Sequence, residues 1–214
     1  MTRPETVHRI ARERVVAVVR TDDGRDLVDV ARALVRGGVS AVEVTMTVPG
    51  ALDGIARIAD ALGDDVVLGA GSVVGADDVR AVVEAGARYV VSPVFQAEVV
   101  EAAHAAGAAA MPGCFTPTEM QAATDAGADV VKLFPADALG PAFVRAVRAP
   151  LPHLKIMPTG GVFLDTIADW LAAGVVAVGA GSALVDPALV ARRDWDALAE
   201  RARLFRAAAD AVGA

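Results

Sequence analysis

The stretch Val130-Val131-Lys132-Leu133-Phe134-Pro135 is a short apolar run, rich in residues that favour β-strands, and it ends at a proline. Seven further runs of this kind recur about 18 to 26 residues apart along the chain. Near-continuous apolar runs are typical of strands that are buried on both faces of a parallel sheet. The eight predicted strands are Val15–Arg20, Ala41–Thr45, Val66–Gly71, Tyr89–Pro93, Ala108–Gly113, Val130–Pro135, Lys155–Gly160 and Ala177–Ser182.

Amphipathic segments separate the runs and predict crossover helices. Eight strand-helix units of this length imply an α/β protein with a (β/α)8 TIM barrel, a single domain that covers residues 1–214. An open doubly wound sheet is the alternative architecture. The predicted helices are Gly24–Arg36, Leu52–Leu62, Asp77–Ala85, Ala97–Ala106, Thr118–Ala126, Gly140–Val147, Leu164–Ala173 and Asp194–Ala211.

The composition excludes several classes of protein. Hydrophobic residues make up 55% of the chain, yet no apolar run approaches the roughly 18 residues of a membrane span. The charged stretch from Met1 to Arg14 lacks the apolar core of a secretory signal, and a single cysteine fits a reducing cytoplasm. A net charge of −7 and an aromatic content of 4% argue against nucleic-acid binding. We therefore expect a cytoplasmic protein that contacts neither membrane nor nucleic acid.

The most informative residue is the lysine within the quoted run. Lysine and arginine together number 20, and only Lys132 and Lys155 are lysines. A buried lysine can lose its proton, whereas arginine cannot, and the neutral amine forms Schiff bases with carbonyl compounds. We interpret Lys132 as the candidate nucleophile and Lys155 as a solvated residue at the start of a strand. An ion-paired or snorkelling lysine is the alternative for Lys132.

A second charged residue lies inside an apolar run. Glu43 occurs in Ala41–Thr45, and the alternation of a strand places Glu43 and Thr45 on one face. A carboxylate close to a lysine suits proton transfer to and from a carbinolamine or a carbon next to an imine. The alternative is a salt-bridge partner that neutralises a neighbouring cation.

Glycine-rich segments end the predicted strands 7 and 8. Pro158–Gly161 and Gly179–Ser182 fall where barrels often bind phosphate through backbone N–H groups. Gly69–Ser72 ends strand 3 and adds a hydroxyl, and Arg20 ends strand 1, where it could hold a carboxylate or a phosphate. Tight turn geometry is the alternative explanation for each glycine segment.

The remaining reactive residues do not form a recognisable centre. His8, His104 and His153 are scattered over a terminus, a helix and a turn, so we predict no metal site. Cys114 has no His/Asp partner pattern, and we interpret it as a small buried residue.

Taken together, these residues resemble the family of 2-keto-3-deoxy-6-phosphogluconate (KDPG) aldolases, also described as 4-hydroxy-2-oxoglutarate (KHG) aldolases. The similarity runs from Arg14 to about Ala211. The matching pieces are Val-Val-Ala-Val-Val-Arg at 15–20, Glu-Val-Thr at 43–45, Gly-Ala-Gly-Ser at 69–72, Val-Ser-Pro at 91–93, Met-Pro-Gly at 111–113, Lys-Leu-Phe-Pro-Ala at 132–136, Pro-Thr-Gly-Gly at 158–161 and Gly-Ser at 181–182.

The resemblance implies a homotrimeric barrel enzyme that needs neither a metal nor a cofactor. It implies that Lys132 forms a Schiff base with the keto carbon, that Glu43 moves protons, and that KDPG is cleaved to pyruvate and glyceraldehyde 3-phosphate. KHG, which would give pyruvate and glyoxylate, is a further candidate substrate. The implied substrate-binding residues are Arg20, Thr45, Thr47, Ser72, Pro93, Phe134, Thr159, Gly160, Gly161, Gly181 and Ser182.

The chain departs from the family pattern in two places. Many members carry an arginine shortly after Glu-Val-Thr that holds the substrate carboxylate, and Thr47 stands there in this chain, so Arg20 is the substitute candidate. Val94 replaces a residue that is often glycine. The rival functions are another phosphate-binding barrel lyase or isomerase, which would not need Lys132, and a non-catalytic barrel that binds a sugar acid.

Overall fold

The computed structural model describes residues 1–212, which form nine strands and ten α-helices. The strands are β1 (Val15–Val19), β2 (Ala41–Thr45), β3 (Val67–Gly71), β4 (Tyr89–Val91), β5 (Ala109–Met111), β6 (Gly113–Cys114), β7 (Val131–Leu133), β8 (Ile156–Pro158) and β9 (Val178–Ala180). The α-helices are α1 (Arg3–Glu13), α2 (Leu27–Arg36), α3 (Ala51–Leu62), α4 (Ala76–Glu84), α5 (Ala97–Ala105), α6 (Pro117–Asp125), α7 (Gly140–Arg148), α8 (Ile167–Ala172), α9 (Pro187–Ala191) and α10 (Trp195–Asp210). Within these residues, no helix combines the length and the apolar character that crossing a membrane requires.

All of the strand pairs are parallel. One sheet has the order β5-β4-β3-β2-β1-β9, and a second has the order β6-β7-β8. Hydrogen bonds join the two sheets on both sides: Val176 N donates to Ile156 O at 3.0 Å, and Asp129 N donates to Ala110 O at 3.0 Å. The strand order follows the chain order without the reversal of a doubly wound sheet. The protein is therefore an α/β fold built on a curled parallel sheet.

Two apolar clusters lie on opposite faces of this sheet, as the period of two in a strand requires. Val130 belongs to the inner cluster, whereas Val131 and Leu133 belong to the outer cluster that packs against the helices. The inner cluster consists of Ile10, Val16, Ala41, Val67, Tyr89, Val91, Ala109, Met111, Val130, Met157 and Ala177. Strands buried on both faces explain why the chain is so rich in apolar residues.

The fifth predicted strand is interrupted at one residue. Ala108–Gly113 was expected to be continuous, but β5 ends at Met111 and β6 begins at Gly113. Pro112 separates them, because proline has no N–H to donate to a neighbouring strand. Its carbonyl still accepts a hydrogen bond of 2.9 Å from Lys132 N. Several other strands are shorter than predicted, so Arg20, Phe134 and Ser182 lie in loops just beyond the strand ends.

Two helices were not predicted, α1 and α9. Helix α1 has a readable start signal, a capping box between Thr2 and Glu5 with a proline in the first turn. Its residue Ile10 is 1% exposed and joins the inner cluster, so α1 covers the amino ends of the strands. Helix α9 begins at Pro187 after Asp186, whose carboxylate accepts a hydrogen bond of 2.8 Å from Ala188 N.

A buried carboxylate ties α1 to the sheet. Glu13 Oε2 accepts hydrogen bonds of 2.9 Å from Ser40 N and 3.0 Å from Ala41 N, the residues that lead into β2. Arg9 Nε donates to Glu13 Oε1 at 3.2 Å and the same guanidinium donates to Asp64 O at 2.6 Å. Glu13 therefore satisfies two backbone donors that would otherwise be buried without a partner.

Glu13→Ala should lower the free energy of unfolding by about 2–4 kcal/mol, since it leaves one buried and one half-buried N–H group without an acceptor. Urea denaturation followed by circular dichroism measures the change. Glu101→Ala on the exposed side of α5 is the matched control and should change the free energy of unfolding by less than about 0.5 kcal/mol. Equal effects of the two substitutions would show that Glu13 has no such role.

Candidate active site

Glu43 and Lys132 lie within β2 and β7, and the other side chains singled out in the sequence lie at or just beyond the carboxyl ends of the parallel strands. In parallel α/β sheets this edge holds the binding and catalytic groups. From β1 through β9 the edge carries Arg20, Glu43, Thr45, Thr47, Ser72, Pro93, Lys132, Phe134, Thr159, Gly160, Gly161, Gly181 and Ser182.

Lys132 lies in the middle of β7 and points to the inner face. It pairs with Gly113 on β6 and Met157 on β8, and its side chain is 6% exposed. Its Nζ lies 4.9 Å from the centroid of the Phe134 ring, a cation–π contact. An amine held among apolar side chains is a candidate nucleophile toward carbonyl compounds.

Glu43 lies on β2 between Val18 and Gly69 of the neighbouring strands and is 1% exposed. Neither carboxylate oxygen accepts a hydrogen bond from the residues that the structure describes. Burial raises the pKa of Glu43, and the positive charges of Lys132 and Arg20 act in the opposite direction. Burial thus raises the proton affinity of Glu43, which suits this carboxyl group to proton transfer.

Three residues with hydroxyl groups lie at or just beyond the carboxyl ends of β2 and β3, namely Thr45, Thr47 and Ser72. Thr45 Oγ1 donates to Val19 O at 3.3 Å and lies 3.1 Å from the hydroxyl of Thr47. Ser72 follows β3 with a φ of 62°, a conformation that residues other than glycine rarely adopt. An unusual backbone conformation at the end of a strand supports a functional role for Ser72.

A cavity of about 400 Å³ opens beside Phe134, the residue whose ring contacts Lys132. Gly160 and Gly161 form a turn in the wall of this cavity. Their φ values of 95° and 67° are ones that residues with a side chain rarely adopt. Thr159 is 6% exposed and its hydroxyl has no hydrogen-bond partner among residues 1–212. The cavity is lined by Val18, Arg20, Phe134, Thr159, Gly160, Gly161, Val162, Phe163, Gly181, Ser182, Ala183, Val185 and Pro187.

Arg20 lies where this cavity meets a second one of about 270 Å³. In that second cavity Arg25 forms a salt bridge of 2.7 Å with Asp23, and Arg193 one of 2.6 Å with Asp26. Arg20 is exposed, and its charge acts on Glu43. It is the guanidinium best placed to meet an anionic substrate.

The structure brings most of the predicted residues together, with some at a distance from the cavity. Seven of the predicted residues line the cavity: Arg20, Phe134, Thr159, Gly160, Gly161, Gly181 and Ser182. The other six do not line it: Glu43, Thr45, Thr47, Ser72, Pro93 and Lys132. Sequence reasoning missed the apolar wall formed by Phe163 and Pro187. The only sequence signal for this wall was a phenylalanine shortly after Pro158–Gly161, and a phenylalanine at such a position does not by itself indicate a binding site.

Two other residues lie outside the site. Lys155 is exposed at the start of β8, as predicted. Cys114 is buried in the outer cluster, and burial raises the pKa of its thiol to about 12. A thiol that stays protonated is a poor nucleophile. With Lys155 and Cys114 set aside, Lys132 and Glu43 are the reactive pair of the site. The adjoining cavity can take a carbonyl compound with a polar tail.

Comparisons with known proteins agree with this geometry. A family model described as KDPG and KHG aldolase matches residues 7–201. The chain is 37% identical to the 2-dehydro-3-deoxy-6-phosphogalactonate aldolase of Escherichia coli K12, over 71% of this chain and 75% of that protein. It is 36% identical to the 2-dehydro-3-deoxy-phosphogluconate aldolase of Treponema pallidum, over 87% and 89% of the two chains.

A solved structure extends the similarity to three dimensions. KDPG aldolase from Legionella pneumophila, with pyruvate captured as a covalent carbinolamine, has a TM-score of 0.87 and 27% identity, over 94% of this chain and 97% of that chain. The match of the family model to most of the chain, the identities above 30% and the site geometry lead to one conclusion: the chain belongs to the KDPG and KHG aldolase family.

Proposed function

We propose that this protein is a class I aldolase that cleaves KDPG to pyruvate and glyceraldehyde 3-phosphate through a Schiff base on Lys132. The observation that carries the proposal is the pairing of a buried lysine with a buried glutamate on one inner face. The names of the relatives support the reaction, and the carbinolamine in the Legionella enzyme supports its covalent chemistry.

The proposed mechanism begins when the neutral amine of Lys132 attacks the keto carbon of the substrate. Glu43 gives a proton to the departing hydroxyl of the carbinolamine, so that water leaves and an imine forms. Glu43 then takes the proton of the C4 hydroxyl as the C3–C4 bond breaks, and the protonated imine accepts the electron pair. The aldehyde leaves, and the enamine of pyruvate is protonated and hydrolysed. The imine is itself the electron sink, so the mechanism calls for no metal and no cofactor.

The two ends of the substrate would bind different residues of the site. We assign the pyruvyl carboxylate to Ser72, with Arg20 in place of the arginine that Thr47 replaces. We assign the polar tail and its phosphate to the cavity and its glycine turns, where backbone N–H groups suit an anion. Thr45, Pro93 and Phe134 complete the proposed binding residues. The tail residues are Thr159, Gly160, Gly161, Gly181 and Ser182.

The proposed architecture is a closed (β/α)8 barrel that forms a single domain over residues 1–214. The hydrogen bonds that join the two sheets on both sides support closure, and so does the parallel bridge between Thr159 and Gly179. The last two residues lie outside the described part of the chain. A homotrimer in the cytoplasm completes the proposal and rests on the family resemblance and the single cysteine.

A second candidate substrate is 2-keto-3-deoxy-6-phosphogalactonate. The relative from Escherichia coli K12 that is named for it is 37% identical to this chain. It would be cleaved by the same chemistry, so parallel assays with both sugar acids, and with KHG, would rank the three substrates by kcat/KM.

Borohydride reduction with pyruvate should leave a pyruvyl adduct on Lys132, found by intact mass and peptide mapping. Lys132→Arg should abolish both the adduct and turnover, because guanidinium cannot form the imine. Lys155→Arg is the matched control, since it replaces the only other lysine, and should keep both. Turnover that survives Lys132→Arg would favour a lysine-independent phosphate-barrel lyase or isomerase. Ligand binding without an adduct would favour a sugar-acid-binding protein.

Glu43→Gln should reduce kcat by roughly 10²–10⁴-fold, because the amide cannot transfer the protons of the carbinolamine step. Pyruvate binding, measured by calorimetry, should persist. Glu101→Gln, an exposed glutamate on α5, serves as the control and should leave kcat unchanged. Near-normal turnover in Glu43→Gln would remove this residue from the mechanism.

Ser182→Asp should raise KM for phosphorylated substrates by about tenfold or more, because it places a like charge against the phosphate in a partly enclosed cavity. KM for KHG should change much less. Ser182→Asn matches the size of aspartate without its charge and should keep the preference for the phosphorylated substrate. Equal losses for both substrates would contradict a phosphate site at this turn.

A further inference from the structure

The interior holds a polar group that the proposed mechanism does not use. Tyr89, the only tyrosine in the chain, lies on β4 in the inner cluster and is 0% exposed. Its hydroxyl has no hydrogen-bond partner among residues 1–212. Buried hydroxyl groups are normally hydrogen-bonded, so this one requires an explanation.

The sheet places Tyr89 and Glu43 on either side of a glycine. Gly69 on β3 pairs with Glu43 on β2 and with Tyr89 on β4, so the three residues lie side by side at one level of the inner face. A Cβ added to Gly69 would clash with the Cζ and both Cε atoms of Tyr89. Cζ carries the hydroxyl, so the polar end of the ring lies over Gly69, whereas the Glu43 carboxylate lies over Gly71, the next inner-face residue of β3.

The two groups are complementary. The ionised carboxylate of Glu43 only accepts hydrogen bonds, and the phenol of Tyr89 donates one. Both are fully buried, and neither bonds directly to the other. A buried water molecule commonly links polar groups that are close but out of direct reach. It can accept from the phenol and donate to the carboxylate at the same time.

We propose that a single water molecule bound between the Tyr89 hydroxyl and the Glu43 carboxylate accepts a hydrogen bond from the phenol and donates one to the carboxylate. Tyr89 is thereby a positioning residue: it touches no reacting atom and acts by orienting and stabilising the charged form of Glu43. The functional part of this inference rests on the proposed aldolase mechanism, whereas the hydrogen-bond relay itself does not.

The charges around Glu43 and Tyr89 determine in which direction the Tyr89 hydroxyl shifts the pKa of Glu43. Lys132 on β7 and Arg20 after β1 favour its ionised form, and burial opposes them. Burial, followed by the negative charges of Glu43 on β2 and Glu13 on α1, raises the pKa of the Tyr89 phenol well above its usual range. Tyr89 therefore stays protonated and donates, and a donated hydrogen bond lowers the pKa of Glu43.

Tyr89→Phe should move the acidic limb of kcat/KM upward by about one pH unit, because the carboxylate loses a donor. At pH values below that limb, kcat/KM of the variant should be about tenfold lower than that of the unsubstituted enzyme. The pyruvate concentration that half-saturates adduct formation should change by no more than about twofold. Val91→Ala removes inner-face packing from the same strand and should leave the limb in place. A Tyr89→Phe enzyme with an unchanged limb, and with greater thermal stability from losing an orphan hydroxyl, would overturn the proposal.

A measurement without substrate separates the relay from the aldolase mechanism. Labelling tyrosine with ¹³C at Cζ gives one resonance, since the chain has a single tyrosine. This resonance should shift with pH across the acidic and neutral range, and Glu43→Gln should abolish the shift. A resonance that is independent of pH, or that still titrates in Glu43→Gln, would overturn the relay. Absence of the pyruvyl adduct would instead remove only the mechanism.

Discussion

The charged side chains of Glu43 and Lys132 are buried in the same apolar interior, and the surrounding strands shield both from water. Glu43 is 1% exposed and Lys132 is 6% exposed. Either charge alone would be expensive to bury, but each lowers the cost of the other, and Arg20 contributes from the edge of the sheet. The same desolvation brings the carboxyl group of Glu43 towards its protonated form. Burying these charged groups lowers the stability of the fold, and the same burial makes the site reactive.

Glycines on the inner face provide the space for this arrangement. A Cβ at Gly71 would clash with the Glu43 carboxylate, one at Gly69 with the Tyr89 ring, and one at Gly179 with the Thr159 hydroxyl. Strand-end glycines are ambiguous in a sequence because turns also require them. Here these three act as steric gaps that neighbouring strands fill with polar side chains. The arrangement explains how a narrow interior contains several functional groups without widening the sheet.

Much of the site could be read from the sequence because strand geometry is simple. The period of two correctly placed Val130 and Lys132 on one face, and parallel strands bring their carboxyl ends to one edge. Other features required long-range contacts. Helix α1 was missed although Thr2 and Glu5 signal its start, and the break at Pro112 was missed because a strand pattern continues through it. The apolar wall at Phe163 depends on how separate loops fold over the cavity.

The sequence by itself determined the succession of strands and helices, the faces of the strands and the two unusual charged residues, because these depend on local periodicity and composition. Only the tertiary structure decided which neighbours those residues meet. Register across three strands puts Glu43, Gly69 and Tyr89 at one level, and no local pattern encodes that alignment. The protonation behaviour of Glu43 depends on Lys132, which lies far away in the chain, and on burial by the whole sheet. Such properties arise from folding because they are sums over contacts between distant segments.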